Sequence, residues 1–146
     1  MNDEDLRQLI KDTLTPLNLY SKDVEELLIF TSATESHCGE YRHQENGPAL
    51  GIFQMEPASH NDLWLNFICY HKTLADAYTE NVANLQFDDH YAIFMARCQY
   101  LRHSDPIPNS GDVDAIWACY KKLWNTELGA AIQSQSIECY RKYGQC

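Results

Sequence analysis

The sequence predicts a mainly α-helical protein built as a single domain. Its 146 residues are the length of one domain, and a hydrophobic content of 45% is enough for a buried core. Apolar side chains recur at intervals of three and four residues, and no series of alternating strands or internal repeat is present. We therefore expect one domain over residues 1–146 with about six to eight helices.

Two helices are predicted in the N-terminal third. The first is amphipathic, begins after an N-cap at Asp3 and ends before Pro16; its apolar face consists of Leu6, Leu9, Ile10 and Leu14. Ser21 is the expected N-cap of the second, and three acidic residues (Asp23, Glu25 and Glu26) follow in the first turn, where the helix dipole favours them. From Leu27 onward this helix is apolar on nearly every side, which indicates burial, and Glu35 near its end is the polar exception.

A break follows the second helix. Gly39 and Gly47-Pro48 disfavour helix and lead into the segment Ala49-Leu50-Gly51-Ile52-Phe53-Gln54-Met55, where we expect a small hairpin or an irregular loop.

The remaining chain again has the helical period. Helices are predicted after Pro57 with Leu63, Trp64, Phe67 and Ile68; around Leu74, Ala77 and Tyr78; from Asp88 or Asp89 to Leu101; from Val113 to Trp124, after the breaker residues 105–111; and from Thr126 to Tyr143.

The charge and the hydrophobic pattern exclude two classes of partner. The formal net charge is −10, whereas binding to nucleic acid needs a stripe of Lys and Arg side chains. The longest nearly uncharged stretch, around Leu27 to Thr34, is far shorter than the roughly 20 residues that span a bilayer. The acidic N-terminus, Met1-Asn2-Asp3-Glu4-Asp5, has no apolar segment typical of an export signal. We expect no nucleic acid, no membrane insertion and no signal peptide.

Glu35 is the strongest candidate for chemistry. Burial and the negative end of the helix dipole both disfavour its charged form, so both raise its pKa. A carboxylic acid that donates a proton near neutral pH needs such a raised pKa. The alternative is that Glu35 simply ends the helix in solvent.

The residues around Glu35 resemble a known signature. Glu35-Ser36, followed after a loop by Ala49-Leu50-Gly51-Ile52-Phe53-Gln54-Met55-Glu56-Pro57, is similar to the soluble lytic transglycosylases of the lysozyme-like superfamily, in which Glu-Ser precedes Gly-Ala-x-Gly-Leu-Met-Gln-x-Met-Pro. The match covers Leu27 to Pro57. It implies a lysozyme-like domain that cleaves the bond between N-acetylmuramic acid and N-acetylglucosamine in the glycan strands of peptidoglycan.

The resemblance also implies roles for individual residues. Glu35 is the single general acid and base, and Gln54 lines the sugar cleft. The family has a tyrosine, in an Ala-Tyr-Asn segment, that faces the acid; its counterpart here is Tyr120, which is followed by Lys121 instead of Asn. The predicted substrate-binding residues are Ser36, Glu45, Gly51, Phe53, Gln54, Glu56 and Tyr120. For Gly51 the expected physical reason is close approach of the backbone to a sugar.

Three other residues also depart from the family pattern: Glu45, Pro48 and Glu56. If either glutamate lies close to Glu35, repulsion raises the pKa of Glu35 further. Alternatively, one of them is the second carboxylate of a hydrolase, at the roughly 6.5–9.5 Å that admits an inverting water. A third alternative is that both are solvated loop residues.

A single confident carboxylate favours a lytic transglycosylase, which forms a 1,6-anhydro sugar and needs no cofactor and no metal. A hydrolytic muramidase is the first alternative, and a catalytically silent virion or wall-binding protein with the same fold is the second. Histidine and cysteine side chains between His37 and His71 are of the types that bind zinc, but their spacing is irregular. With no export signal, we expect a bacteriophage product, either borne by the virion with phage tail proteins as partners or released from the host cytoplasm to the cell wall.

Overall fold

The computed structural model describes residues 1–43 and 47–145, and these residues form eight α-helices and no β-strand. With 63% of the chain helical, the predicted mainly α class is confirmed. The helices are α1 (Asp3–Leu14), α2 (Lys22–Ser36), α3 (Pro57–Asn66), α4 (Lys72–Ala77), α5 (Asn84–Phe87), α6 (Asp89–Leu101), α7 (Val113–Tyr120) and α8 (Gln133–Tyr143). Short 3₁₀ turns lie at Thr15–Leu17 and Ile68–Tyr70, and a π-helical turn lies at Lys121–Asn125.

Polar caps fix where the early helices begin. The Asn2 side chain, and not Asp3 as predicted, caps α1 by accepting a hydrogen bond from the Asp5 amide at 2.8 Å. The Ser21 cap of α2 is confirmed, since its hydroxyl oxygen accepts from the Val24 amide at 3.1 Å. Asp88 caps α6 in the same way through the Tyr91 amide.

Helix α2 is the central helix of the structure. It packs against α1, α6, α7 and α8, so its side chains are buried on every side. Leu28, Ile29 and Phe30 are fully enclosed, which confirms the predicted burial. The two first-turn glutamates, Glu25 and Glu26, are also buried, because they bind Arg7 of α1.

Helix α6 separates two clusters of apolar side chains. One of its faces, with Ala92, Ile93 and Ala96, packs on α1 and α2. The other face, with Phe94 and Met95, packs on α3, α4 and α5. Both clusters therefore contact α6, and the loop between α2 and α3 contributes side chains to each of them.

That loop contains the short hairpin-like feature that the glycines suggest. Leu50 and Met55 exchange two backbone hydrogen bonds, of 3.0 and 3.1 Å, around the turn Gly51-Ile52-Phe53-Gln54. His43 pairs with Leu50 as an isolated bridge. The Ile52 carbonyl of this turn accepts hydrogen bonds from Ser32 and Ser36, which hold the turn beside the C-terminal end of α2.

The C-terminal part differs from the prediction. The last helix begins at Gln133 instead of Thr126, because Thr126 has a φ of 66°, which ends the preceding π-helical turn. Residues 126–132 form a non-helical segment, here called the 126–132 segment. The short helix α5 is not predicted from the sequence.

Two smaller findings concern membranes and thiols. None of the helices in the described part of the chain is long and apolar enough to cross a bilayer. No disulfide bond joins the five cysteines in the described part of the chain; Cys38 and Cys98 are buried, Cys69 is exposed, and Cys119 and Cys139 are half-buried.

Candidate active site

Glu35 lies one residue before the C-terminal end of α2 and is half-buried. The helix ends sharply because His37 adopts the left-handed conformation, with φ of 51°. The amides of His37 and Cys38 then donate to the carbonyls of Ala33 and Ser32. Glu35 therefore lies on the last turn of a buried helix.

Tyr120 meets Glu35 from helix α7. Its hydroxyl donates a hydrogen bond of 2.5 Å to Oε1 of Glu35. The tyrosine is only 1% exposed, and its ring packs edge-on against Phe30 of α2 with 5.6 Å between ring centroids. The packing of α7 on α2 thus positions the hydroxyl on the carboxyl group.

The pKa of Glu35 reflects two opposed effects. Burial raises it from the ordinary value of 4.5 to about 7, and the hydrogen bond from Tyr120 opposes that rise. Among the described residues, no other carboxylate contributes to the shift. The pKa of Tyr120 is raised as well, by burial and by the adjacent carboxylate, so the phenol stays protonated.

Glu35 stands where two cavities meet. The larger, of about 540 Å³, is lined by Glu35, Gln54, Met55, Glu56, Ser59, Gln99, Trp124, Asn125, Thr126, Gly129 and Ala130. The smaller, of about 280 Å³, is lined by Thr34, Glu35, Tyr120, Asn125, Ala130, Ala131, Ile132, Gln135, Ser136 and Cys139. The two cavities share Glu35, Asn125 and Ala130 as lining residues, and together they are here called the Glu35 groove.

Ser36 supports the turn beside the groove. Its hydroxyl and that of Ser32 both donate to the carbonyl of Ile52, at 2.6 and 2.8 Å. Ser36 also accepts from the Gly39 amide at 2.9 Å and is completely buried. The structure therefore gives Ser36 a supporting position beneath the turn, in place of the predicted contact with substrate.

Gly51 and Phe53 are likewise beneath the groove surface. Gly51 has a φ of +81°, and a Cβ atom there would lie 1.8 Å from the carbonyl oxygen of Leu85. The glycine is required by the close approach of Leu85, and not by the approach of a sugar as predicted. Phe53 is 2% exposed and packs toward Trp124, so it fills the core below the groove.

Gln54 and Glu56 do line the groove with Glu35. Gln54, with φ of 50°, donates its amide hydrogens to the carbonyls of Gly51 and Tyr41, at 2.9 and 3.0 Å. Glu56 is exposed at the start of α3. Glu45, the other predicted carboxylate, lies outside the described residues.

Several groove residues are not found by the sequence reasoning. Gln99 donates to the carbonyl of Leu123 at 3.0 Å, and Trp124 stacks on Tyr100 with 5.6 Å between ring centroids. Asn125 and residues of the 126–132 segment also line the groove. The sequence predicts Trp124 on the apolar face of a helix. It gives no signal for the π-helical turn that brings Trp124 and Asn125 to the groove.

The candidate metal ligands do not assemble. Within residues 1–43 and 47–145, no three His, Cys, Asp or Glu side chains are arranged to hold a metal ion. His37 instead stacks on Tyr143, with ring centroids 4.2 Å apart, and Cys139 contacts its Nε2 atom at 3.7 Å.

The arrangement suits proton transfer to and from a bound molecule. A carboxyl group with a pKa near 7 is present in both protonation states at neutral pH, so it can act as acid and then as base. Comparison of the chain with protein-family models, with curated proteins and with solved structures gives no match.

Proposed function

We propose that the protein is a lytic transglycosylase with a lysozyme-like fold, and that it cleaves the bond between N-acetylmuramic acid and N-acetylglucosamine in peptidoglycan. The observation that carries the proposal is Glu35, a half-buried acid with a raised pKa that lies in an open groove and is hydrogen-bonded by Tyr120. The sequence resemblance around Glu35-Ser36 and residues 49–57 supports the choice of substrate.

In the first step, protonated Glu35 donates its proton to the glycosidic oxygen. The bond between that oxygen and the anomeric carbon breaks, and positive charge develops on the sugar ring. Glu35 becomes a carboxylate, and the hydrogen bond from Tyr120 stabilises this charged form. The leaving sugar departs with a free hydroxyl.

In the second step, the Glu35 carboxylate accepts the proton of the C6 hydroxyl of the muramic acid residue. The C6 oxygen bonds to the anomeric carbon, which closes a 1,6-anhydro ring and restores the protonated acid. No water is consumed. One carboxyl group suffices for both steps, which agrees with a site in which burial and not a second described carboxylate sets the pKa of Glu35.

Hydrolysis of the same bond is a second candidate, and Glu56 is the observation that favours it. Glu56 lines the same cavity as Glu35, so it could activate a water molecule that attacks the anomeric carbon. The product then carries one water more than the anhydro product. Mass analysis of released muropeptides therefore distinguishes the two reactions.

The decisive variant is Glu35→Gln, which keeps the shape of the side chain and its acceptor for Tyr120 but removes the proton. We expect clearing of purified peptidoglycan to fall about 10²–10⁴-fold. The matched control is Glu56→Gln, which should keep most of the activity of a transglycosylase and lose most of that of a hydrolase. Near wild-type clearing by Glu35→Gln, or an inactive wild type, would overturn the proposal.

A further inference from the structure

Trp124 is held in place by aromatic side chains of the core. Its indole ring stacks on the ring of Tyr100, with 5.6 Å between ring centroids and 29° between ring planes. Tyr100 is 1% exposed, and its hydroxyl is hydrogen-bonded to that of Thr31 in α2 at 2.7 Å. Phe53 also packs on the indole, with 6.3 Å between ring centroids. The core therefore sets the orientation of the Trp124 ring.

The indole ring is nevertheless not enclosed. Trp124 is half-buried, and it lines the larger cavity of the Glu35 groove together with Glu35. Among the described residues that line this cavity, Trp124 is the only aromatic one. Tyr100 and Phe53 are each at most 2% exposed and lie beneath it. The cavity therefore has one aromatic surface, and Trp124 provides it.

Polar side chains line the same cavity. The described lining residues that carry amide, hydroxyl or carboxyl groups are Glu35, Gln54, Glu56, Ser59, Gln99, Asn125 and Thr126. An apolar surface with a few polar groups is typical of sites for small molecules. A pyranose ring fits both features, because its C–H bonds form an apolar face and its hydroxyl and acetamido groups project from its edge.

The backbone at Trp124 has a rare conformation. Residues Lys121–Asn125 form a π-helical turn, which follows α7 directly and ends at Thr126. Turns of this kind are uncommon in proteins and occur frequently at functional sites. Here the turn contains both Trp124 and Asn125, which line the cavity.

We propose that Trp124 is a glycan-binding residue, whose indole ring stacks on a pyranose ring next to Glu35. The C–H face of the sugar lies on the indole, and its polar substituents bond to the amide and hydroxyl groups of the same cavity. Because Tyr100 already fixes the indole, little side-chain freedom is lost on binding. The inference deepens the proposed function and rests on it for the identity of the sugar.

The other two tryptophans of the chain are matched controls. Trp64 is 8% exposed and donates its indole hydrogen to Tyr91 at 2.9 Å. Trp117 is half-buried like Trp124, but it lines a different cavity. A glycan in the Glu35 groove should therefore act on Trp124 and leave the other two unchanged.

The test is an NMR titration of the wild type with the tetramer of N-acetylglucosamine, which lacks muramic acid and so is not cleaved in the proposed reaction. Each tryptophan gives one indole N–H signal. We expect the Trp124 signal to shift until it saturates, and those of Trp64 and Trp117 to stay in place. Nuclear Overhauser effects should connect the C–H protons of the sugar to the Trp124 ring. A Trp124 signal that does not shift, or a Trp117 signal that shifts as far, would overturn the inference.

Two leucine variants measure the contribution of the ring to affinity. Trp124→Leu keeps an apolar side chain on the core but removes the stacking surface, so we expect binding of the tetramer to weaken about tenfold. For peptidoglycan, KM should rise with kcat little changed. Trp117→Leu should bind as the wild type does. Equal affinity of Trp124→Leu and wild type would overturn the inference, and if Trp124→Leu does not fold, the wild-type titration decides.

These readouts separate the inference from the proposed reaction. A wild type whose Trp124 signal responds to the tetramer, but which does not cleave peptidoglycan, contradicts only the enzyme. A wild type that releases anhydro muropeptides although its Trp124 signal does not respond contradicts only the stacking role.

Discussion

Tyr120 donates its hydroxyl hydrogen to Glu35 although 85 residues separate the two in sequence. The bond lowers the pKa of Glu35, while burial raises it, and the result is about 7. Tyr120 therefore limits the shift instead of causing it. Without this hydrogen bond the carboxyl group of Glu35 would hold its proton more firmly.

Tyr120→Phe should raise the pKa of Glu35 above 7, because the carboxylate loses a hydrogen bond while burial is retained. If Glu35 must be protonated to act, the alkaline limb of the kcat/KM profile should shift to higher pH, and kcat should fall about tenfold or more because the base form is less stabilised. Tyr41→Phe, at an exposed position, is the control. A profile that stays in place would show that Tyr120 does not act on Glu35 in solution.

Glu35 should also make stability depend on pH. Its pKa is 4.5 in the unfolded chain and about 7 when folded, so the folded state holds the proton more tightly and is favoured at low pH. As pH rises from 4.5 through 7, this advantage is lost, at a cost of at most about 3 kcal/mol.

Glu35→Gln removes that cost. At pH 8 the variant should be more stable than wild type by about 1–3 kcal/mol, and at pH 4 the two should agree within about 0.5 kcal/mol. Urea unfolding at the two pH values measures the difference, with Glu56→Gln as an exposed control. A variant that is less stable than wild type at pH 8 would contradict the burial of an ionised Glu35.

The sequence predicts those parts of the fold and the site that depend on local signals. Helix α2 is identified by its Ser21 cap, by the apolar residues after Leu27 and by the position of Glu35 near its end. These signals are local, because caps and helical periodicity are properties of neighbouring residues. Gln54 and Glu56 follow from the segment just after it, and they line the groove.

The rest depends on contacts between distant residues. Gly51 is required by the backbone of Leu85, which no pattern near Gly51 reveals. A π-helical turn follows α7 and brings Asn125 and the 126–132 segment to the groove, and Lys121 in that turn donates a hydrogen bond to the Gly129 carbonyl. The apolar period of the sequence alone instead predicts a longer last helix. Helix α5 is too short to show a helical periodicity of apolar residues in the sequence.

Gly51→Ala should destabilise the protein by more than about 2 kcal/mol, because it adds a Cβ atom at a positive φ and 1.8 Å from the Leu85 carbonyl oxygen. The turn must then shift, and Gln54 with it, so activity should fall as well. Gly111→Ala is the matched control: its Cβ atom would lie no closer than 3.3 Å to a side-chain oxygen, and we expect a change below about 1 kcal/mol. Thermal unfolding of both variants makes the comparison, and equal losses would contradict the account.

Arg7 joins three parts of the chain through buried charges. It donates to Glu26 at 2.7 and 3.0 Å, to Glu25 at 3.0 Å and to the carbonyl of Gly144 at 2.7 Å. Burial alone would raise the pKa values of both glutamates, but hydrogen bonds, including those from Arg7, outweigh it and hold both below their ordinary value. These carboxylates therefore stabilise the fold above their unfolded pKa of about 4.5, and the contribution is lost as pH falls through their folded pKa values.

Arg7→Met should cost about 3–5 kcal/mol at pH 7, because it leaves the buried Glu26 carboxylate without its main partner and removes one of the partners of Glu25. The loss should shrink near pH 3, where the glutamates of the variant are protonated. Lys22→Met is the control, since Lys22 contacts the same two glutamates but has a side chain that is 61% exposed; we expect it to cost below about 1 kcal/mol. Urea unfolding of both variants at the two pH values measures these differences. If Arg7→Met and Lys22→Met lower the free energy of unfolding equally, exposure does not govern the strength of these ion pairs. Arg7 would then not be the residue that holds α1, α2 and the end of α8 together.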